Sequence, residues 1–198
     1  MAVSRQVVLA GFLIILTLVA VPLALFITQV SQGGYGLKAS NKEIDFHWQD
    51  IEGEVHQFSD WQQGTTYLFM GFLSCSEICP VRIGQMIALD KWLDESPYSD
   101  SSVRFFFVTV DPQTDSPAIR RQMVDGQSKR FVSASMSRDD LDQLQLVLRE
   151  KVAIQDGIPN HVGNLYLFSR DTSLERVYTQ WQLSIEKIQA DLIPLLSL

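Results

Sequence analysis

The stretch from Thr65 to Leu93 reads TTYLFMGFLSCSEICPVRIGQMIALDKWL, and the order of its patterns decides the fold. It begins with a β-rich run without charge, Thr65–Phe72, which is typical of a central strand covered on both faces. Two cysteines follow, and apolar residues then recur at helical spacing up to Leu93. The stretch therefore predicts a strand, a cysteine-containing loop and a helix, in that order.

The rest of the chain continues this alternation. The predicted elements after the cysteine loop are a strand at Val103–Val110, a helix from Pro117 to Val124 capped by Asp115 or Ser116, a helix at Arg138–Leu148, a loop at Gly157–Asn160, a hairpin of Val162–Phe168 and Leu174–Tyr178, and a helix from Ser184 to about Pro194. Ahead of the loop, Ile44–Trp48 and Val55–Phe58 predict an added hairpin around Gly53. This order indicates an α/β fold with a mixed sheet and flanking helices.

The N-terminal region contains a long apolar run. No residue from Val7 to Thr28 is charged, and Val, Leu, Ile, Ala and Phe dominate. At ~1.5 Å per residue, a helix of this length covers the ~30 Å hydrocarbon core of a bilayer. The alternative is a cleaved signal peptide, but its apolar region is usually shorter, and no small-residue cleavage site follows this run. We therefore expect an uncleaved transmembrane anchor over residues 1–30.

The flanks of the run predict its orientation. Arg5 and the amino terminus carry the only positive charges ahead of it, which places the N-terminus in the cytoplasm and the remainder outside. Residues 31–37 are rich in Gly and predict a flexible tether. Residues 38–198 are then expected to form one domain, since a chain of ~150 residues can bury a sizeable core.

Charge excludes one class of partner. The 198 residues carry a formal net charge of -7, and Lys and Arg form no cluster. A protein that binds nucleic acid needs a basic surface to neutralise phosphate. We therefore expect no nucleic-acid partner.

The two cysteines of the chain, Cys75 and Cys79, are four positions apart at the start of the predicted helix. One helical face can present both sulfurs, and the helix N-terminus stabilises a thiolate. A thiolate is the nucleophile of disulfide exchange and a soft ligand suited to copper(I). A structural disulfide is the alternative, although so short a loop would stabilise the fold by only roughly 2 kcal/mol. The pair therefore indicates redox chemistry or metal binding.

A metal site needs a further donor, which we seek among the three histidines. His47 and His56 lie in the predicted hairpin and are expected to face solvent. His161 enters a late strand, where a sheet can bring it beside the cysteine loop. From the residues alone His161 is as consistent with a ligand as with an ordinary loop residue. Asp111, at the end of a strand, is similarly open between a site residue and a turn.

Several motifs, in order along the chain, carry a resemblance to a known family. They are Gly71-Phe72 followed by Cys75-x-x-x-Cys79-Pro80, Val108–Pro112 with Asp115 and Pro117, and His161 with Leu165–Leu167. On these motifs the chain from about Lys38 to its C-terminus resembles the Sco/SenC family of cytochrome oxidase assembly proteins. An anchor ahead of a thioredoxin-like domain also fits that family.

The resemblance implies a set of functional properties. Cys75, Cys79 and His161 are the implied metal ligands, with copper(I) as the cargo and copper(II) as a second form to consider. The implied partner is cytochrome c oxidase subunit II, whose copper A site would receive the metal, and other copper carriers or thiol oxidoreductases are further partners. The implied location is a bacterial inner membrane with a periplasmic domain, or, in a eukaryote, the mitochondrial inner membrane facing the intermembrane space.

Two functions remain open. A metallochaperone would hold copper through two thiolates and one imidazole and release it by ligand exchange. A thiol–disulfide reductase would use Cys75 and Cys79 as a catalytic redox pair, one attacking a partner disulfide and the other resolving the mixed disulfide. A peroxidase is disfavoured because no further motif supports it. His161 separates the first two, since only metal binding needs an imidazole.

Overall fold

The computed structural model describes residues 14, 16–22, 34–39, 43–150, 152–155 and 158–196. For residues 152–155 and 158–161 it describes the backbone alone. The chain divides into two compact units, residues 1–34 and 35–198.

In the first unit, residues 14 and 16–22 are helical. Within the described residues, no helix is both long enough and apolar enough to cross a membrane. Most of the expected span, from Val7 to Thr28, lies outside the described residues.

The second unit alternates strands and helices. The strands are β1 (Leu37–Lys38), β2 (His47–Gln49), β3 (Val55–Gln57), β4 (Thr65–Gly71), β5 (Val103–Thr109), β6 (Phe131–Ala134), β7 (Val152–Gln155), β8 (Ile158–His161), β9 (Leu165–Phe168) and β10 (Leu174–Tyr178). The helices are α1 (Phe58–Trp61), α2 (Ile78–Glu95), α3 (Pro117–Arg120), α4 (Arg138–Leu148) and α5 (Ile185–Leu196), and a π-helical turn, Arg121–Asp125, directly follows α3.

Six of the described strands form one mixed sheet in the order β1-β10-β9-β4-β5-β6. Strands β4, β5 and β6 are parallel, whereas β9 pairs antiparallel with β4 and with β10. Every residue of β4 is buried, because the strand is covered on both faces. The predicted mixed sheet with flanking helices is therefore confirmed.

Alternate residues of the central strands build two cores, one on each face of the sheet. Tyr67 and Phe69 point to one face, where they pack with apolar residues of α2 and α5. Leu68 and Met70 point to the other, where they pack with α4 and with aromatic residues of the N-terminal hairpin. The charge-free sequence of β4 is thus explained by burial on both sides.

The predicted N-terminal hairpin is present as β2 and β3, which pair antiparallel. Trp48 is buried and packs edge-on against Phe106, with 4.9 Å between ring centroids. The hairpin therefore belongs to the core of the domain.

The ordered contacts of the second unit begin before the predicted start at residue 38. The backbone N–H groups of Tyr35 and Gly36 donate to the Asp191 carboxylate at 3.0 and 2.8 Å. Leu37 and Lys38 then pair with β10. This carboxylate holds Tyr35 and Gly36, which the sequence predicts to be part of the tether, against α5.

Three other details differ from the sequence expectations. The predicted helix from Pro117 to Val124 is present, but it is α-helical only to Arg120 and continues as the π-helical turn to Asp125. Residues 158–160 of the predicted loop belong to strand β8, and Gly157 lies outside the described residues. Pro159 is tolerated in β8 because both strands of a two-stranded sheet are edges. The last helix continues past Pro194 to Leu196, because Leu195 and Leu196 still pack against the core.

Candidate metal centre

The two cysteines lie where β4 passes into α2. Cys75 is in the loop, half-buried, and its backbone N–H donates to the Phe72 carbonyl at 3.2 Å. Cys79 lies in the first turn of α2 and is 1% exposed. Both are in the reduced thiol form, and the two side chains are close enough to hydrogen-bond. The strand–loop–helix order predicted from the sequence therefore brings the pair together.

Burial controls the protonation of Cys79. Desolvation raises the pKa of this thiol well above its ordinary value of 9.0, and the neighbouring Cys75 thiol raises it further. A hydrogen bond with the Phe72 backbone acts in the opposite direction and is outweighed. Cys79 is therefore a protonated thiol at neutral pH, and a soft metal that binds it must displace that proton.

The close fit of Cys79 depends on Gly71 at the end of β4. A Cβ atom at position 71 would lie 2.8 Å from the Phe69 ring and 3.1 Å from the Cys79 sulfur. Only glycine leaves the required space, so the strand end and the first turn of the helix pack in direct contact.

Asp115 holds the cysteine loop from the adjacent strand end. Its buried carboxylate accepts hydrogen bonds from the Leu73 N–H at 3.0 Å and from the Thr109 hydroxyl at 2.6 Å. Burial raises its pKa, and these bonds lower it in part. Of the two predicted caps of α3, Ser116 fills that role, because its hydroxyl accepts from the Ile119 N–H. Asp115 was missed as a site residue, although its position after a parallel strand was the available signal.

Asp111 belongs to the turn that follows β5. Its N–H donates to the Thr109 hydroxyl at 3.1 Å, and its carbonyl accepts from the Thr114 and Asp115 N–H groups. Of the two interpretations of Asp111, these contacts favour the turn.

The backbone of His161 ends β8, opposite Val152, and its side chain lies outside the described part of the chain. Two residues later, Gly163 has φ +72, and a Cβ atom there would lie 2.6 Å from Ile78. Ile78 is the first residue of α2 and precedes Cys79. The turn after His161 therefore packs against the start of the cysteine helix.

A buried polar network fixes the same turn. Arg82 on α2 donates to the Gly163 carbonyl, and the Glu150 carboxylate accepts from the Gly163 N–H. Both charged side chains are almost fully buried. Neither residue was predicted as functional, because charged residues in sequence are ordinarily assigned to the surface.

The other two histidines lie in the hairpin. His47 is exposed, as predicted. His56 keeps 32% of its side chain exposed, while its ring stacks on Trp48 and its Nε2 lies 2.7 Å from Asp50. Among the described side chains, which exclude that of His161, no three His, Cys, Asp or Glu residues are grouped to hold a metal.

A six-stranded mixed sheet with flanking helices, carrying a dithiol at the start of a helix, defines a thioredoxin-like protein. The SCO1/SenC family model matches residues 36–197. The chain therefore belongs to the SCO1/SenC family.

A curated relative, the mitochondrial Protein SCO2 homolog of Bos taurus, is 27% identical over 142 residues. The match covers 69% of this chain and 53% of the relative, so the chain spans about half the length of that protein.

Two solved structures have the same fold. Arabidopsis thaliana ScoI with copper bound matches with a TM-score of 0.69 at 17% identity, covering 78% of this chain and 98% of the other. BsSco, a member of the Sco family of cytochrome c oxidase assembly proteins with an identified disulfide switch, matches with a TM-score of 0.66 at 18% identity, covering 83% and 97%.

Proposed function

We propose that this chain is a copper metallochaperone that binds the metal through Cys75, Cys79 and His161. The observation that carries the proposal is the convergence of two reduced thiols with the turn that follows His161 at the first turn of α2. Thiolate and imidazole are donors that suit copper(I). The copper-bound Arabidopsis thaliana protein, which shares the fold, supports the same cargo.

The proposed recipient is the copper A site of cytochrome c oxidase subunit II. Support comes from family membership and from the description of BsSco within a family of cytochrome c oxidase assembly proteins. Three ligands leave the metal open to an incoming thiolate or imidazole, so the cargo can leave by stepwise ligand exchange. We further propose that an N-terminal anchor keeps the domain at the outer face of the membrane in which the oxidase resides.

The protonation of Cys79 makes copper(I) affinity depend on pH. Because this thiol is protonated in the metal-free protein, copper(I) binding releases a proton from it. Copper affinity should therefore rise as the pH rises, and acidification should favour release.

A second candidate function is reduction of a disulfide in the partner, and the unequal burial of the two cysteines favours it. The more accessible Cys75 would attack a partner sulfur, forming a mixed disulfide and releasing one partner thiolate. Cys79, after losing its proton, would attack Cys75 and release the second partner thiolate. The partner gains two electrons, and this chain is left with a Cys75–Cys79 disulfide that another thiol reductant must reduce.

The deciding experiment uses His161→Ala in the reduced full chain. Loss of a direct ligand should weaken copper(I) binding by at least the ~10–100-fold typical of outer-shell partners. Reduction of an oxidised subunit II fragment should survive, because both sulfurs remain. The measurements are copper affinity against a competing chelator and the rate of disulfide reduction.

His47→Ala is the matched control, since His47 is an exposed histidine of the hairpin and should leave both measurements unchanged. Unchanged copper affinity in His161→Ala would contradict the three-ligand site, and reduction of a partner disulfide would then be the better supported function.

A further inference from the structure

We propose that Arg82 and Glu150 are positioning residues that clamp Gly163 from both sides and so fix His161 relative to the cysteine pair. This inference rests on the proposed function, because it assigns the clamp to the third copper ligand.

One half of the clamp comes from the cysteine helix. Arg82 is one turn after Cys79 on α2 and is 0% exposed. Its Nε and Nη2 groups both donate to the Gly163 carbonyl, at 3.0 and 2.8 Å. Nη2 also donates to the Gln180 carbonyl at 3.1 Å, and Nη1 donates to Gln85 at 2.6 Å. The guanidinium therefore ties two separate backbone segments to α2.

The other half comes from the segment after α4. Glu150 is 3% exposed, and its Oε1 accepts from the Gly163 N–H at 2.9 Å. Its Oε2 accepts from the Asn164 side-chain amide at 3.0 Å and from the Tyr166 hydroxyl. The two peptide groups that flank the Gly163 Cα are thus held by opposite charges.

The electrostatics of the pair strengthen these bonds. Burial lowers the pKa of Arg82 to about 10, and the Glu150 charge acts to raise it, so the guanidinium is charged at neutral pH. Hydrogen bonds from a charged donor or to a charged acceptor are roughly twice as strong as neutral ones. Opposite buried charges also offset part of the cost of removing each from water.

The backbone conformation leaves the clamped segment little freedom. Gly163 has φ +72, a backbone conformation that residues other than glycine rarely adopt, and it packs directly against Ile78. His161 is only two residues away on the same chain. The clamp therefore limits where the His161 backbone can lie, in addition to the pairing of His161 with Val152.

The primary test compares Arg82→Gln with the wild-type full chain, with and without the His161→Ala change. If Arg82 acts through His161, Arg82→Gln should weaken copper(I) binding by ~10–100-fold in the wild-type background. It should add almost no further loss in the His161→Ala background, because the ligand that it positions is already absent. Equal losses in the two backgrounds would overturn the inference.

A spectroscopic readout separates positioning from general stability. In the copper-free protein, the nitrogen resonances of the His161 imidazole and hydrogen exchange at the Gly163 amide should both change in Arg82→Gln. Arg82→Lys keeps the charge but not the forked donor geometry, and it should restore only part of the copper affinity. A folded Arg82→Gln protein with unchanged resonances and unchanged affinity would contradict the clamp.

Arg130→Gln provides the matched control. Arg130 is also a buried arginine, bonded to Asp90 and Asp94 at 2.9 and 2.6 Å, but Asp90 lies about 16 Å from Cys79 along the axis of α2. The Arg130→Gln change should destabilise the domain without changing the His161 resonances or the copper affinity.

Glu150→Gln is measured alongside, because it is a milder change that retains an acceptor for the Gly163 N–H. If Arg82→Gln fails to fold, Glu150→Gln provides the test in its place, and the His161 and Gly163 resonances should change in it. The outcomes distinguish the two proposals. Unchanged copper affinity in His161→Ala would contradict the three-ligand function. If copper affinity falls in His161→Ala but not in Arg82→Gln, only the clamp is contradicted.

Discussion

At the scale of single residues, the two cysteines have identical chemistry and different environments. Cys79 is sealed between the end of β4 and the first turn of α2, whereas Cys75 remains partly accessible in the loop. The sequence predicts that both thiols belong to one site, because their spacing and the following helix are visible in it. Which thiol is buried depends on Gly71 and on the packing of the sheet, and no local pattern contains that information.

The raised pKa of Cys79 predicts a loss of stability in alkaline solution. Above pH 9 the unfolded chain releases the thiol proton, while the folded chain retains it until its own, higher pKa. The free energy of unfolding should therefore be unaffected below pH 9 and should then fall by up to ~1.4 kcal/mol per pH unit from this group.

Urea unfolding of the reduced, metal-free chain at pH 8 and pH 10 measures this effect. Cys79→Ala should show a smaller alkaline loss than the wild type, while Cys75→Ala should not. Identical losses in the wild type and Cys79→Ala would show that other groups, such as the buried tyrosines, account for all of it.

At the scale of elements, prediction succeeds where local chemistry and burial agree. Helix α4 has the predicted bounds, because Ser137 caps it and Leu141, Leu144 and Leu148 form its buried face. Prediction fails for β8, since Pro159 normally marks a loop and the pairing with β7 is visible only in three dimensions. The Arg82–Glu150 network could not be predicted for the same reason, because several of its partner groups are backbone atoms of residues distant in sequence.

The junction of β4 and α2 gives a prediction that two glycines test. Gly71→Ala would place a methyl group 2.8 Å from the Phe69 ring and 3.1 Å from the Cys79 sulfur. Overpacking of this kind typically costs ~1–3 kcal/mol of unfolding free energy. The thiol of Cys79 should also become more reactive toward an alkylating reagent, since the fit that seals it is disturbed.

Gly84→Ala is the matched control within α2, because no atom other than those of the neighbouring helix backbone lies within 4 Å of the added Cβ. It should raise the free energy of unfolding by ~1 kcal/mol through helix propensity and leave thiol reactivity unchanged. Thermal or urea unfolding with thiol alkylation compares the two variants. A Gly71→Ala protein as stable as the wild type would show that the strand and helix can separate without cost.

At the scale of the whole molecule, family membership extends over residues 36–197, and the N-terminal region depends on sequence argument alone. The apolar run from Val7 to Thr28 and the absence of a small-residue cleavage site after it favour retention. We predict that the mature protein keeps this segment and fractionates with membranes. N-terminal sequencing of the protein purified from its host checks this, and a mature terminus beyond residue 28 would identify a cleaved signal peptide.

The edges of the sheet bear on how safely such a chain can be kept at high concentration. Strand β4 is a charge-free, β-rich segment of the kind that drives aggregation when exposed, yet it lies in the middle of the sheet with partners on both sides. One edge, β1, has only two residues. At the other, the backbone of Ser135, just beyond β6, bonds to Gln49 of the hairpin at 2.8 and 2.9 Å. Within the described residues, one edge of the six-stranded sheet is therefore short and the other is partly covered, which limits the template that this sheet offers for amyloid-like growth.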